Sequence, residues 1–202
     1  NSGQLVVGNI GSKKRMKYGV VGRNVNLTAR IESYTVGGQI FISENTVEEC
    51  GQHLLRIDDQ IEVMPKGVKK PITIYEVGGI RGEFDLFLPE KVDVALVDLP
   101  KPIPIEFTVL EGKHAGDTRY QGTVDKLFEK TAQISAEVSA DKLVNLKISL
   151  FDHDKNEISS DLYAKVVKNI SKDPAIFHVS MTSIPPSVTT FLERLMPESQ
   201  AA

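Results

Sequence analysis

The sequence predicts an α+β chain in two parts, a mixed N-terminal part and a β-barrel with one C-terminal helix. Three observations predict it. Helical and strand patterns alternate over the first eighty residues, glycines and prolines break the pattern between Gly78 and Pro102, and after Ile103 short β-rich runs follow one another up to a last helical stretch. The chain has 202 residues, 41% hydrophobic and 25% charged, enough for two small domains, each with a core. Nothing in this composition has the bias of a disordered tail, a fibre or a disulfide scaffold.

Gln4 to Val7 and Tyr18 to Val21 are β-rich runs on either side of the basic, turn-like Gly11-Ser12-Lys13-Lys14-Arg15, which predicts a hairpin. From Asn24 to Tyr34, Val25, Leu27, Ala29 and Ile31 carry the apolar pattern of a helix that Gly37-Gly38 stops. Gln39 to Ile42 then reads as a buried strand. Ser43 reads as the N-cap of a short helix over Thr46 to Cys50, and Leu54 to Val63 and Ile72 to Val77 read as strands.

Residues 81–102 are expected to be a linker, because Gly82, Pro89, Pro100 and Pro102 interrupt them. Beyond it, runs at Ile105 to Leu110, Tyr120 to Leu127, Ala132 to Val138, Asn145 to Phe151, Leu162 to Asn169 and Ala175 to Met181 are separated by polar clusters, the spacing of a barrel or sandwich. Pro185-Pro186 opens the last helix, Ser187 to Met196, with Val188, Phe191, Leu192 and Leu195 on one stripe.

The net charge of −3 gives no electrostatic reason to expect nucleic acid or an anionic membrane as partner. Cys50 is the one cysteine and has no internal partner, so a reducing cytoplasm is the economical expectation. No stretch reaches the ~18 apolar residues of a membrane-spanning helix, and there is no signal peptide pattern. The chain opens at Asn1 without methionine, apparently inside an element, and is read as part of a longer polypeptide.

Generic motifs fail on inspection. Gly3 to Gly8 has the glycine spacing of a phosphate loop, but Asn9 stands where its lysine must be. Asp152-His153-Asp154-Lys155-Asn156 opens like a calcium loop, but Glu157 replaces the turn glycine, so a polar hairpin turn is expected. The four histidines, His53, His114, His153 and His178, are scattered and give no zinc pattern.

The informative stretch is Gly8 to Ser33. Asn26 and Arg30 are four apart on the predicted helix, so they share a face and can reach one ligand. The Arg30 guanidinium suits phosphate, and the Asn26 amide can donate to a sugar oxygen. Read alone, an asparagine and an arginine on a helix are ordinary surface residues.

GNIGSKKRMKYGVVGRNVNLTARIES, then GGQIFIS, then PKGVKKPITIYEV, resembles the C-terminal half of class III adenylate/guanylate cyclase catalytic domains over about residues 1–80. The resemblance implies part of a ferredoxin-like domain that pairs head to tail as a homodimer, with ATP or GTP at the interface. It implies that the parent makes cyclic AMP and pyrophosphate from ATP in intracellular signalling. It gives Asn26 the role of orienting the ribose, Arg30 that of stabilising charge on the transferring α-phosphate, and Lys66 contact with the terminal phosphates. Gly19 falls where relatives place a side chain that reads the purine edge, so the choice between adenine and guanine stays open. The family's two metal-binding aspartates, which hold Mg²⁺ or Mn²⁺, and its purine-selecting lysine belong upstream of Asn1. No metal is therefore expected on this chain, and it is expected to be inactive alone.

EGKHAGDTRYQGTVDKLFEKTAQI, NLKISLFD, DLYAKVV and FHVSMTSIPPSVTTFL resemble a divergent PilZ domain over about residues 103–196, a β-barrel with a C-terminal helix that in bacteria binds cyclic di-GMP. Competent members use an RxxxR and a DxSxxG segment. Here the first contains no arginine, around Lys101-Pro102-Ile103-Pro104-Ile105, and the second reads Lys126-Leu127-Phe128-Glu129-Lys130-Thr131, so cyclic di-GMP is not expected to bind. The competing expectation for the whole chain is a regulatory or dimerisation module with a sensing or docking barrel.

Overall fold

A computed structural model describes residues 1–65, 68–90, 95–111, 114–116 and 118–195. The chain divides into two compact units, Asn1–Val92 and Asp93–Ala202.

In the first unit β1 (Val6–Ser12) and β2 (Arg15–Val21) form an antiparallel hairpin in which Ser12 faces Arg15. The turn is therefore Lys13-Lys14, shorter than the five-residue turn expected, because pairing runs on through Gly11 and Ser12 once φ at Gly11 reaches 123°. The hairpin exposes apolar side chains on both faces, among them Val6, Val7, Ile10, Met16, Tyr18 and Val20.

Helix α1 (Arg23–Glu32) starts directly after the hairpin, with Gly22 as N-cap. It buries Ile31, while Asn26 and Ala29 are exposed. A short strand β3 (Phe41–Ser43) leads into α2 (Glu44–Cys50), which Ser43 precedes in extended conformation. No side-chain cap bond forms there; the Ser43 hydroxyl lies 3.0 Å from that of Thr46 instead. A single 3₁₀ turn over Gln52–Leu54 leads to β4 (Leu55–Val63), which pairs antiparallel with β5 (Ile72–Ile80). The sheet order is β3-β5-β4, and β6 (Leu86–Phe87) adds to the end of β5.

Asp58-Asp59 lies in β4 at a β-bulge, and the ladder to β5 continues on both sides of it. One sequence expectation changes here: residues 81–102 are not a plain linker. Phe87 pairs with Gly79, and β7 (Val97–Glu111) begins inside that span, so its three prolines did not prevent strand geometry where β7 has register shifts against its neighbour.

The second unit is a closed antiparallel barrel. Six strands, β7, β9 (Tyr120–Phe128), β10 (Thr131–Ala136), β13 (Ala175–Ser183), β12 (Glu157–Lys172) and β11 (Asn145–Phe151), follow one another around it, and β11 returns to β7. The short β8 (His114–Ala115) pairs with the end of β7. Alternate residues point inward and are fully buried, including Ile103, Ile105 and Phe107 on β7, Leu146, Ile148 and Leu150 on β11, and Phe177 and Val179 on β13. The rings of Phe107 and Phe177 meet edge to face at 6.0 Å. Helix α3 (Pro186–Leu195) contributes Val188 and Leu192 to this core. Each of the six runs read from sequence is a barrel strand, most of them longer than predicted. Among the described residues β11 closes the ring by pairing back with β7, which is how an all-β unit limits open strand edges.

The Asp152–Asn156 stretch is a hairpin turn between β11 and β12. The backbone N–H groups of Asp154 and Asn156 donate to Asp152 Oδ1 at 2.9 and 2.8 Å. Among the described residues no helix is long and apolar enough to cross a membrane.

Candidate functional site

Within the first unit, one face of α1 and the segment leading into β5 enclose a cleft of about 590 Å³. Arg23, Asn26, Leu27 and Arg30 line it from α1. These positions are i, i+3, i+4 and i+7, a single stripe along the helix. Val68, Lys69, Lys70 and Ile72 line it from the other side. The lining thus carries four cations, one amide and three aliphatic side chains, with no carboxylate among them.

The helix sets this arrangement. Gly22, at φ 154°, turns the chain out of β2, and Asn26 N–H donates to Gly22 O at 3.2 Å to close the first turn. The first turn has no acidic residue and no side-chain cap, so the positive end of the helix dipole at Arg23 is not offset by a charge of its own. Arg30 lies in the last turn, where a cation suits the dipole. Tyr34 follows Arg30 by four residues. Burial pushes its hydroxyl above the ordinary phenol range, and the Arg30 guanidinium pulls against that.

Of the residues singled out from sequence, Asn26 and Arg30 share this cleft. Gly19 lies in the middle of β2 opposite Gly8, outside the cleft lining, because the ladder holds it in the hairpin. Lys66 lies outside the described residues. Arg23, Lys69 and Lys70 were not singled out. Arg23 precedes Asn26 by three residues and Lys69-Lys70 precedes Pro71, so helical spacing and a cationic doublet were the available signals.

Residues 1–79 match the adenylate and guanylate cyclase catalytic domain family. The match supports the class III cyclase resemblance over this segment and ends inside β5. Among solved structures, the crystal structure of the guanylyl cyclase Cya2 aligns at 55% identity over 43% of this chain and 44% of that one, with a TM-score of 0.40. The chain therefore spans less than half the length of that solved cyclase. No curated protein matches the chain.

Cyclases of this class use divalent cations, which makes the acidic residues of the cyclase segment a direct test of fit. Among the described residues no three His, Cys, Asp or Glu side chains come together as a metal site. Asp58 is held by Arg56, and Glu76 is buried in β5. The cleft itself is lined by cations, an amide and aliphatic side chains.

Proposed function

We propose that the first unit is the ribose- and phosphate-contacting half of a nucleotidyl cyclase whose parent converts ATP, or GTP, to the cyclic mononucleotide and pyrophosphate. The observation that carries this reading is the joint presence of Asn26 and Arg30 in one cationic cleft of a segment that matches the cyclase family. In the reaction the ribose 3′-oxygen attacks the α-phosphorus in line, and the bond to the bridging oxygen of the leaving pyrophosphate breaks.

Asn26 donates to the sugar and holds the 3′-oxygen in the attack geometry, a positioning effect. Arg30 directs permanently charged donors at the oxygens on which negative charge builds. Leu27, Val68 and Ile72 lower the local dielectric and strengthen both interactions. In this reading the chain contributes binding, orientation and charge stabilisation, and is inactive by itself.

The barrel, by the same reading, is a PilZ-like structural or docking module that does not take cyclic di-GMP. A second reading, a non-catalytic pairing module, is favoured by the exposed apolar hairpin β1–β2, a surface larger than isolated exposed side chains and suited to another protein chain. Homodimer formation through the cyclase segment belongs to both readings.

Calorimetric titration of the chain with ATP and with GTP tests the first reading. Binding that Asn26→Ala and Arg30→Ala each weaken supports it. No binding of either nucleotide, or binding indifferent to both substitutions, leaves only the pairing module.

A further inference from the structure

Charge is unevenly placed along the chain. Residues 1–31 carry Lys13, Lys14, Arg15, Lys17, Arg23 and Arg30 and no aspartate or glutamate, although the whole chain stands at −3. Residues 82–90 are the converse, with Glu83, Asp85 and Glu90 and no lysine or arginine. Both stretches belong to the first unit, and both expose apolar side chains beside their charges.

In an antiparallel ladder, directly opposite residues point to the same face. Gly11 faces Met16, Asn9 faces Tyr18 and Val7 faces Val20, so Met16, Tyr18, Val20 and Val7 share one face of the β1–β2 hairpin. That face ends at the Lys13-Lys14 turn. All four side chains are exposed, Tyr18 at 71%. None of the ion pairs among the described residues uses Lys13 or Lys14.

The acidic stretch is a sheet edge. Gly79 pairs with Arg56 of β4 on one side and with Phe87 of β6 on the other, so β6 is the outer strand at that end of the sheet. Among the described residues no strand pairs with its far edge. Phe87 lies by Arg56, but Phe84 and Leu86 are 63% and 64% exposed. An uncovered apolar edge is a template for another chain.

We propose that residues 83–90 of one copy receive the β1–β2 hairpin of a second copy, with Phe84, Leu86 and Leu88 against Met16, Tyr18 and Val20, and Glu83 and Asp85 beside Lys13 and Lys14. The proposal rests on the pairing reading. It adds a contact that the cyclase resemblance does not supply, because the acidic stretch begins after residue 79, where the family match ends. Within one chain both surfaces stay uncovered, so they do not satisfy each other. A two-fold arrangement satisfies both at once, since each hairpin meets the other copy's edge and the buried surface doubles. Apolar contact supplies the affinity. The charges fix the register and oppose an edge-to-edge contact, which would set two acidic stretches against each other.

Sedimentation equilibrium of the 202-residue chain tests this, with variants whose circular dichroism is unchanged. The mass should rise from 22.3 kDa toward twice that value with concentration, and the dimer should weaken as salt is raised. Lys13→Glu/Lys14→Glu, Glu83→Lys/Asp85→Asn and Phe84→Ser/Leu86→Ser should each weaken it at least tenfold. Asparagine is chosen at Asp85 because φ there is 45°, a conformation it tolerates. A chain that carries both sets of charge substitutions should dimerise more tightly than either variant alone, and losses that simply add would overturn the proposal. A dimer indifferent to all these substitutions leaves the pairing reading standing and removes this contact. A chain that stays at 22.3 kDa throughout removes both.

Discussion

Arg56 and Asp58, two residues apart on β4, form a bidentate pair, with Arg56 Nε donating to Asp58 Oδ1 at 2.8 Å and Nη2 to Oδ2 at 3.2 Å. The pair fills the space in front of Gly78, where any Cβ would run into the guanidinium and the carboxylate. Arg56 Nη2 also donates to Leu88 O at 3.0 Å, and its guanidinium lies 5.7 Å from the centre of the Phe87 ring. Gly78 on β5 thus faces the Arg56–Asp58 pair of β4 directly. Gly78→Ala should destabilise the first unit by about 1–3 kcal/mol through overpacking. The shift in the denaturant midpoint of that unit measures it, and an unchanged midpoint would show that the pair moves aside freely.

The turn between β11 and β12 carries a pH dependence of known sign. Asp152 is held below the ordinary carboxylate range chiefly by the side-chain hydrogen bond from Asn156, then by the backbone N–H of Asn156. Because its pKa is lower in the folded chain, its contribution is fully present at neutral pH and is lost as pH falls through the folded-state value. Asn156→Ala should move the Asp152 carboxyl titration, followed by carbon NMR, up toward the ordinary value. No upward movement would mean that the backbone N–H groups hold the carboxylate unaided.

Cyclic di-GMP should not bind the chain at micromolar concentration. Of the cations that could replace the missing arginines, Lys126 pairs with Asp98 at 3.0 Å and Arg119 with Glu106 at 3.4 Å, while Lys130 is a single exposed charge at the turn between β9 and β10. Lys113 lies outside the described residues. The open cavity on the barrel, lined by Gln121, Gly122, Thr123, Ser135, Ala136 and Glu137, offers no cation to a doubly charged dinucleotide. Calorimetry decides it, and tight binding lost on Lys126→Ala and Arg119→Ala would refute the expectation.

The barrel was legible because period-2 burial writes itself into sequence: Leu146, Ile148 and Leu150 alternate with polar neighbours, and the six runs fall in the six strands. Gly78-Gly79 misled for a physical reason. Glycine was read as a breaker, whereas here it makes room inside a strand for Arg56 and Phe87, and that depends on side chains some twenty residues back and eight ahead. In the cleft, Asn26 and Arg30 could be placed on one face from spacing alone. Lys69 and Lys70 could not be joined to them, because no local rule says which loop crosses a given helix face. The exposed hairpin was hidden likewise: Val6, Val20 and Tyr18 read as ordinary strand residues, and only the fold shows them uncovered.

In the parent enzyme of the proposed reading, Arg30→Ala should lower kcat by roughly tenfold to a thousandfold with little change in KM, because the guanidinium acts on charge that appears in the transition state. Asn26→Ala should also lower kcat, through misplacement of the 3′-oxygen. Steady-state kinetics separate these roles from simple binding. A large rise in KM with kcat intact would assign Arg30 to the ground state.

The purified chain should show no turnover of ATP or GTP, with Mg²⁺ or Mn²⁺ in excess. Attack by a sugar hydroxyl needs help in losing its proton and a means of bridging the phosphates. The cleft offers only cations, an amide and aliphatic side chains for those tasks. None of Arg23, Arg30, Lys69 and Lys70 can accept the proton. Asp58 spends both carboxylate oxygens on Arg56, and Glu76 is buried within β5. If the chain supplies Asn26 and Arg30 in trans, mixing it with a parent enzyme carrying Arg30→Ala should restore part of the activity that neither protein has alone, and Arg30→Ala in the added chain should abolish that rescue. Product formation by the chain alone, lost on Asp58→Asn or Asp59→Asn, would instead show that the bulge in β4 opens to hold a metal.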